Sequence, residues 1–196
     1  MVLVTILCAA GARAASTGCV PAGAKTVAAA GDARLYVKGG TLYGCLGAAQ
    51  TLLGGAPSAR RLGATRVALY ALTTRYAGID TLTMGVDNLA SKVSIVDLRS
   101  GATLASEPAT TPELRAESFV AVTAIDLDAA GTLAWIGSRS AVGAFTPIYE
   151  VHTLTAAGSA RLLASGPKIA PHSLALRGEM LSWRQAGRTR TRTIAP

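Results

Sequence analysis

At 196 residues, 50% of them apolar but only 5% aromatic, the chain has the length for one domain with a core of Val, Leu, Ile and Ala rather than large rings. Charged residues make up 15% and the net charge is +8, a balance of high apolar content and modest charge that excludes intrinsic disorder. The 21 glycines and 8 prolines in so apolar a sequence match many short strands joined by tight turns.

The first predicted segment is an export signal. Val2-Leu3-Val4-Thr5-Ile6-Leu7-Cys8-Ala9-Ala10 is a short apolar run, and Ala12-Arg13-Ala14 follows as a small-x-small cleavage site, so residues 1–14 read as a signal peptide. No Lys or Arg precedes the run, and a buried first strand is the alternative. The run is too short for a bilayer anchor, and no transmembrane segment is expected after cleavage. Loss of Cys8 with the signal leaves Cys19 and Cys45, an even pair that predicts a disulfide in an oxidising compartment. The expected location is secreted or on the exterior of a bacterial cell envelope.

Beyond the signal, strand-like runs bounded by Gly, Pro or Asp recur and helical periodicity is hard to find. Ala33–Lys38 and Thr41–Leu46 flank Gly39-Gly40, a hairpin signal because glycine adopts positive φ at little cost. Val67–Tyr76 and Ile79–Met84 form the next pair, and Lys92–Leu98 turns at Arg99-Ser100-Gly101 into Ala102–Ala105. Phe119–Asp128, Thr132–Gly137, Pro147–Leu154 and Ser159–Ala164 follow, with Gly131 and Gly158 in the turns. The last group is Ser173–Arg177, Glu179–Gln185 and Arg188–Ile194. Leu42, Leu82, Leu133 and Leu181 each follow Thr or Met in what reads as the second strand of a group, and Trp135 and Trp183 sit two places after their Leu. A recurrence every 40 to 50 residues with four strands per unit is the pattern of propeller blades. The expected fold is all-β, a β-propeller-like array of about four antiparallel four-stranded blades over residues 15–196, with blades near 20–62, 63–108, 117–167 and 168–196. A β-sandwich is the alternative.

The run Asp128-Ala129-Ala130-Gly131-Thr132-Leu133-Ala134-Trp135-Ile136-Gly137-Ser138-Arg139, followed by Ile148-Tyr149-Glu150-Val151 and by Gly158 with Arg161-Leu162-Leu163, resembles the TolB-type propeller repeat. Val93–Gly101 is similar to the third-strand-and-turn signature of WD-repeat-like bacterial propellers. The resemblance spans about 100 residues, is strongest over 119–165, lacks the usual Ser-Pro before the hairpin Asp, and implies a fold rather than an activity. Four blades are fewer than rings of that family usually carry. The chain is therefore expected as a small ring, a partial array completed by another chain, or a fragment of a longer product.

Chemistry-bearing residues are sparse. His152 and His172 are the only histidines, with no carboxylate expected at a fixed spacing from either. Asp126-Leu127-Asp128 offers two carboxylates beside a turn, but Ala129 and Ala130 stand where a calcium loop needs ligands, so Asp128 is expected to accept backbone N–H bonds in its hairpin. Ser165-Gly166-Pro167-Lys168 has the Ser-x-x-Lys spacing of some acyl-enzyme hydrolases, and Pro167 denies it the helix that chemistry needs. No nucleophile elbow, phosphate-binding glycine loop or zinc-helix motif is present, so no catalytic residue, metal site or cofactor is expected. Arg184, Arg188, Arg190 and Arg192 share even parity, which predicts guanidinium groups on one strand face. They are the candidate ligand-binding residues, for a polyanionic polymer, or else a charged edge that resists aggregation. No nucleic acid is expected as partner, because no row of aromatics accompanies the arginines. The loops Ser106–Glu117 and Ser138–Thr146 are the expected contact surface. The functional expectation is an exported, non-catalytic binding or scaffold module for an envelope protein or polymer. The alternatives are a hydrolase or lyase with its site on the propeller axis, and a partial propeller without independent function.

Overall fold

The structure, a computed structural model, describes residues 18–57, 63–112, 118–141, 143 and 146–194. The expected signal peptide at 1–14 and parts of both expected contact loops lie outside the described residues. Fifteen strands and no helix are present among the described residues: β1 (Lys25–Ala30), β2 (Ala33–Lys38), β3 (Thr41–Leu46), β4 (Ala49–Gly55), β5 (Thr65–Leu72), β6 (Tyr76–Met84), β7 (Leu89–Asp97), β8 (Thr103–Pro108), β9 (Ser118–Leu127), β10 (Thr132–Ala141), β11 (Ile148–Thr155), β12 (Ala160–Gly166), β13 (Ala175–Arg177), β14 (Met180–Gln185) and β15 (Arg188–Thr193).

The all-β expectation holds; the propeller does not. Twelve strands belong to one mixed sheet, ordered β1-β2-β3-β4-β5-β6-β7-β9-β10-β11-β12 with β8 on the side of β7, and β13-β14-β15 form a separate three-stranded sheet. Separate four-stranded blades are absent because parallel pairing joins the antiparallel groups, Gly55 with Arg66 between β4 and β5 and Leu89 with Phe119 between β7 and β9. Among the described residues the sheet is not closed, since β1 pairs only with β2 and β12 only with β11. The sandwich alternative gains no support from this arrangement.

Local turn chemistry follows the sequence closely. Gly39 and Gly40 have φ of 58° and 75°, the two left-handed residues a tight hairpin between β2 and β3 requires. Asp97 accepts the Arg99 N–H at 2.9 Å through Oδ1 and a guanidinium bond from Arg75 at 2.8 Å through Oδ2, which fixes the turn after β7. Asp128 accepts the Thr132 N–H at 2.8 Å, the hairpin role expected of it.

The apolar residues form three layers. Leu35, Leu42, Val67, Ile79, Val96 and Leu98 share one. Val93, Ile95, Leu133, Trp135 and Leu154 share the second, and Ala134, Ile136, Val151, Leu181 and Trp183 the third. Strand β10 therefore buries both faces: its odd residues enter the second layer and its even residues the third. A strand covered on both sides reads as a continuous apolar run, which is how Leu133-Ala134-Trp135-Ile136 reads. The four marker leucines are all buried, but Leu42 lies in the third strand of its group rather than the second. The cause is β1, whose Thr-Val-Ala-Ala-Ala run carries too little β-branched or aromatic signal to be counted as a strand.

The expected disulfide is present between Cys19 and Cys45, with Cα atoms 5.9 Å apart. It ties the strand-free segment before β1 to buried Cys45 on β3, and Gln50 Nε2 donates to the Cys19 carbonyl at 2.9 Å beside it.

Candidate functional site

The densest polar cluster sits on β10 and β11. Glu150 lies opposite Gly137, and His152 opposite Trp135, so all four project into the second layer. Gly137 supplies the room: a Cβ there would lie 2.1 Å from the Ala109 carbonyl oxygen and 2.8 Å from Thr110 Cγ2. Because glycine leaves that space, the segment Ala109–Pro112 after β8 lies directly across the sheet. Trp135 Nε1 donates to the Ala109 carbonyl at 2.7 Å, and the Thr111 N–H donates to Glu150 Oε2 at 2.7 Å. An alanine at 137 is expected to lower stability by about 2–3 kcal/mol through overpacking against backbone that cannot swing away. Urea denaturation checks this, and loss of exchange protection at the Thr111 amide locates the damage.

Glu150 is 1% exposed and fully engaged. Its Oε1 accepts from Arg139 Nε at 2.9 Å, and its Oε2 accepts from His152 Nε2 at 2.9 Å as well as from Thr111. Burial pushes its carboxyl upward, but the Thr111 N–H, His152 and Arg139 together outweigh burial and hold it below its ordinary value. His152 shifts the other way from a typical ion-paired imidazole. Burial lowers its pKa more than Glu150 and Glu107 raise it, so the ring is neutral near pH 7. Trp135 stacks on it at 5.0 Å with the rings 6° apart. A neutral ring facing an ionised carboxylate carries its proton on Nε2, which leaves Nδ1 a lone-pair acceptor with no hydrogen bond among the described residues.

Two cavities flank the crossing segment, and Thr110, Thr111 and Pro112 line both. One, of about 320 Å³, also involves Asn88, Ser91 and Arg139. The other, of about 230 Å³, is bounded by Glu107, Pro108, Trp135, His152, Arg161 and Leu162. A third concavity of about 680 Å³ lies among the turns at the other strand ends, with Arg34, Arg75 and Arg99 on its walls. There Arg75 is already paired with Asp97, and Arg75 and Arg99 are exposed.

Asp80 on β6 borders the same region and is 1% exposed. Ser91 donates to its Oδ1, while Oδ2 is buried without a hydrogen-bond partner among the described residues, as is Nε of nearby Arg66. Desolvation raises the Asp80 pKa to about 6, with Ser91 and Arg66 offsetting only part of the rise. A carboxyl whose folded pKa exceeds its unfolded value stabilises the fold fully below about 3.8 and loses that contribution as pH rises through about 6. At about 1.4 kcal/mol per unit, the loss is about 3 kcal/mol. Asp80→Asn abolishes the dependence, so the stability of the variant relative to the native chain is expected to rise by about 2.4 kcal/mol between pH of about 4 and about 7, most of the full difference. Chemical denaturation at the two pH values checks it. His152 acts in the opposite sense, losing stability as pH falls below the ordinary imidazole range, and is common to both proteins.

The residues singled out from the sequence do not converge. His172 Nδ1 bonds the Thr123 carbonyl at 2.8 Å, and Asp126 Oδ2 accepts the Leu176 N–H at 2.8 Å, so β9 of the large sheet holds both β13 and the turn that precedes it. Only His152 joins the cluster. The expectation that no carboxylate keeps a fixed spacing to it is corrected by Glu150, two residues earlier and on the same strand face. An acidic residue two places before a histidine in an otherwise apolar strand was the available signal.

The four arginines are also divided. Cross-strand partners share a face, and Arg188, Arg190 and Arg192 lie opposite Gln185, Trp183 and Leu181, whereas Arg184 lies opposite Thr189. The two-residue turn at Ala186-Gly187 inverts the parity, so Arg184 projects from the other face. All four are exposed and have no side-chain partner among the described residues, and β15 is an edge strand. No group of three or more His, Cys, Asp or Glu able to hold a metal is found among the described residues. No helix there is long and apolar enough to cross a membrane. No protein-family model matches the chain, and no curated protein matches it.

Proposed function

We propose that this chain is a non-catalytic binding module acting outside the cytoplasm, with its ligand seat at the segment Ala109–Pro112. The observation that carries the reading is the double anchor of that segment. Trp135 and Glu150 hold its backbone from below and leave a cavity on each side. A surface segment held rigidly over concavities is preorganised for binding and loses little ordering entropy on contact. The Cys19–Cys45 bond supports an oxidising location, where structural disulfides persist. The non-catalytic part rests on His152: no Ser, Thr or Cys side chain among the described residues is hydrogen-bonded to its Nδ1, so it has no nucleophile to activate.

Two measurements test this. In cells making the full chain, Cys19 and Cys45 are expected to resist alkylation until a reductant is added; ready labelling of both places the protein in a reducing compartment and defeats the location. Purified protein is expected to turn over chromogenic esters, glycosides and phosphoesters no faster than a His152→Gln variant. A His152-dependent rate defeats the non-catalytic reading.

A further inference from the structure

We propose that the cavity between β8 and β11 binds a small organic ammonium ion, whose N–H groups are shared between Nδ1 of His152 and the carboxylate of Glu107. This rests on the reading of the chain as a binding module and names the ligand class for one of its two cavities.

The cavity wall carries acceptors in excess. The His152 side chain is 10% exposed and borders the cavity, its Nε2 is committed to Glu150, and its Nδ1 is neither hydrogen-bonded nor sealed off. The Trp135 ring stacked against it and the Glu150 bond together prevent the imidazole from turning to exchange its nitrogens. Glu107, half-buried at the end of β8, lies opposite Val93, so its side chain projects toward the layer that holds Trp135. Glu107 forms no ion pair among the described residues, yet it lies close enough to His152 to act on the titration of the ring.

The charged groups around His152 leave a cation as the missing partner. From its own strand Glu150 faces it, and from β8 Glu107. From β10, Arg139 is bound to Glu150. From β12, Arg161 borders the cavity as well; its register opposite Thr153 starts its side chain on the strand face away from His152, and it forms no ion pair with Glu107. A carboxylate and a fixed lone pair, left unpaired by the threonines and Arg161 that share the wall, are complementary to a ligand that donates from a positive centre. Pro108, Pro112 and the half-exposed Leu162 provide apolar walls for a short carbon chain. The volume of about 230 Å³ is about eight times the share of one liquid water, which limits the ligand to roughly eight non-hydrogen atoms.

The test uses the full chain and ethylammonium chloride as probe, with tetramethylammonium chloride and sodium acetate as comparisons, read by NMR of the His152 ring. Ethylammonium is expected to shift the ring resonances near pH 7, to bind about tenfold or more weakly to the Glu107→Gln variant, and to lose affinity as acid protonates the imidazole. Tetramethylammonium, which has no N–H, and acetate are expected to leave the resonances unmoved. The proposal is overturned if ethylammonium has no effect, if Glu107→Gln binds it as well as the native chain, or if tetramethylammonium binds equally. A site that answers to zinc and not to ethylammonium overturns it too. Any of these leaves the binding-module reading standing, because that reading is decided by thiol protection and by the absence of turnover.

Discussion

Glu150→Ala is expected to destabilise the domain by about 3–5 kcal/mol, more than any other single side-chain truncation argued above. The carboxylate pairs with partly buried Arg139, accepts from buried His152 and caps the Thr111 amide, so its removal takes away the Arg139 pair, leaves the His152 donor unsatisfied in the interior and frees the loop amide. Alanine also leaves a void beside Trp135, adding a cavity cost to the electrostatic one. Glu150→Gln separates the two contributions. The amide keeps the volume and an acceptor for Thr111, but it cannot balance Arg139. Denaturant midpoints for both variants measure the effect, and hydrogen exchange at Thr111 is expected to accelerate in the alanine variant first. The pH profile follows from the direction of the shift. A carboxyl held below its ordinary value contributes stability at neutral pH that is lost as pH falls through its folded pKa, so the native chain and Glu150→Gln converge in acid. An alanine variant as stable as the native chain removes the structural basis for treating Ala109–Pro112 as a rigid seat.

The second large effect belongs to the disulfide. Cys19 and Cys45 are 26 residues apart in sequence, and closing a loop of that length stabilises the folded state by about 3.5 kcal/mol through the entropy of the unfolded chain. The pair Cys19→Ala with Cys45→Ala, compared with the native chain in denaturant, is expected to show that loss. Cys45 is completely buried on β3, and alanine there adds only a small cavity. Cys19 sits in a segment whose other ties are few, among them the bond from Gln50 Nε2 to its carbonyl. A reductant added to the native protein is expected to reproduce the loss. Equal stability with and without the bond means that the segment before β1 detaches locally and the constraint acts on nothing else.

Much of the strand pattern was legible because turn chemistry is local. Strands β2 and β3 coincide with Ala33–Lys38 and Thr41–Leu46, since two glycines between apolar runs leave the backbone one economical path. β1 and β4 were not legible: half of β1 is Ala, β4 mixes Ala, Gln and two Gly with its leucines, and they hold their places by pairing with stronger neighbours rather than by intrinsic preference. The boundary at Tyr76 was misplaced for a related reason. Tyr76 reads as the end of β5, but Thr73 Oγ1 accepts its N–H at 2.9 Å and starts β6 there instead.

The candidate site divides along the same line. His152 was visible as one of two histidines, and the segment after Ser106 as a loop, but nothing local linked them to Glu150, Arg139 or the glycine at 137. That link spans 39 residues between Thr111 and Glu150 and exists only because Gly137 lets one backbone lie on another. The arginine face failed at the Ala186-Gly187 turn, where parity along one strand does not carry over to the next.

By itself the sequence determined the all-β class, most of the strands and their turns, and the disulfide pair, because spacing, glycine position and cysteine count act within short stretches of chain. Tertiary structure alone decided that the groups join into one open mixed sheet and that a buried carboxylate holds a loop over two cavities. Both depend on contacts between distant strands, whose partners are selected by packing and burial rather than by any feature of the neighbouring residues.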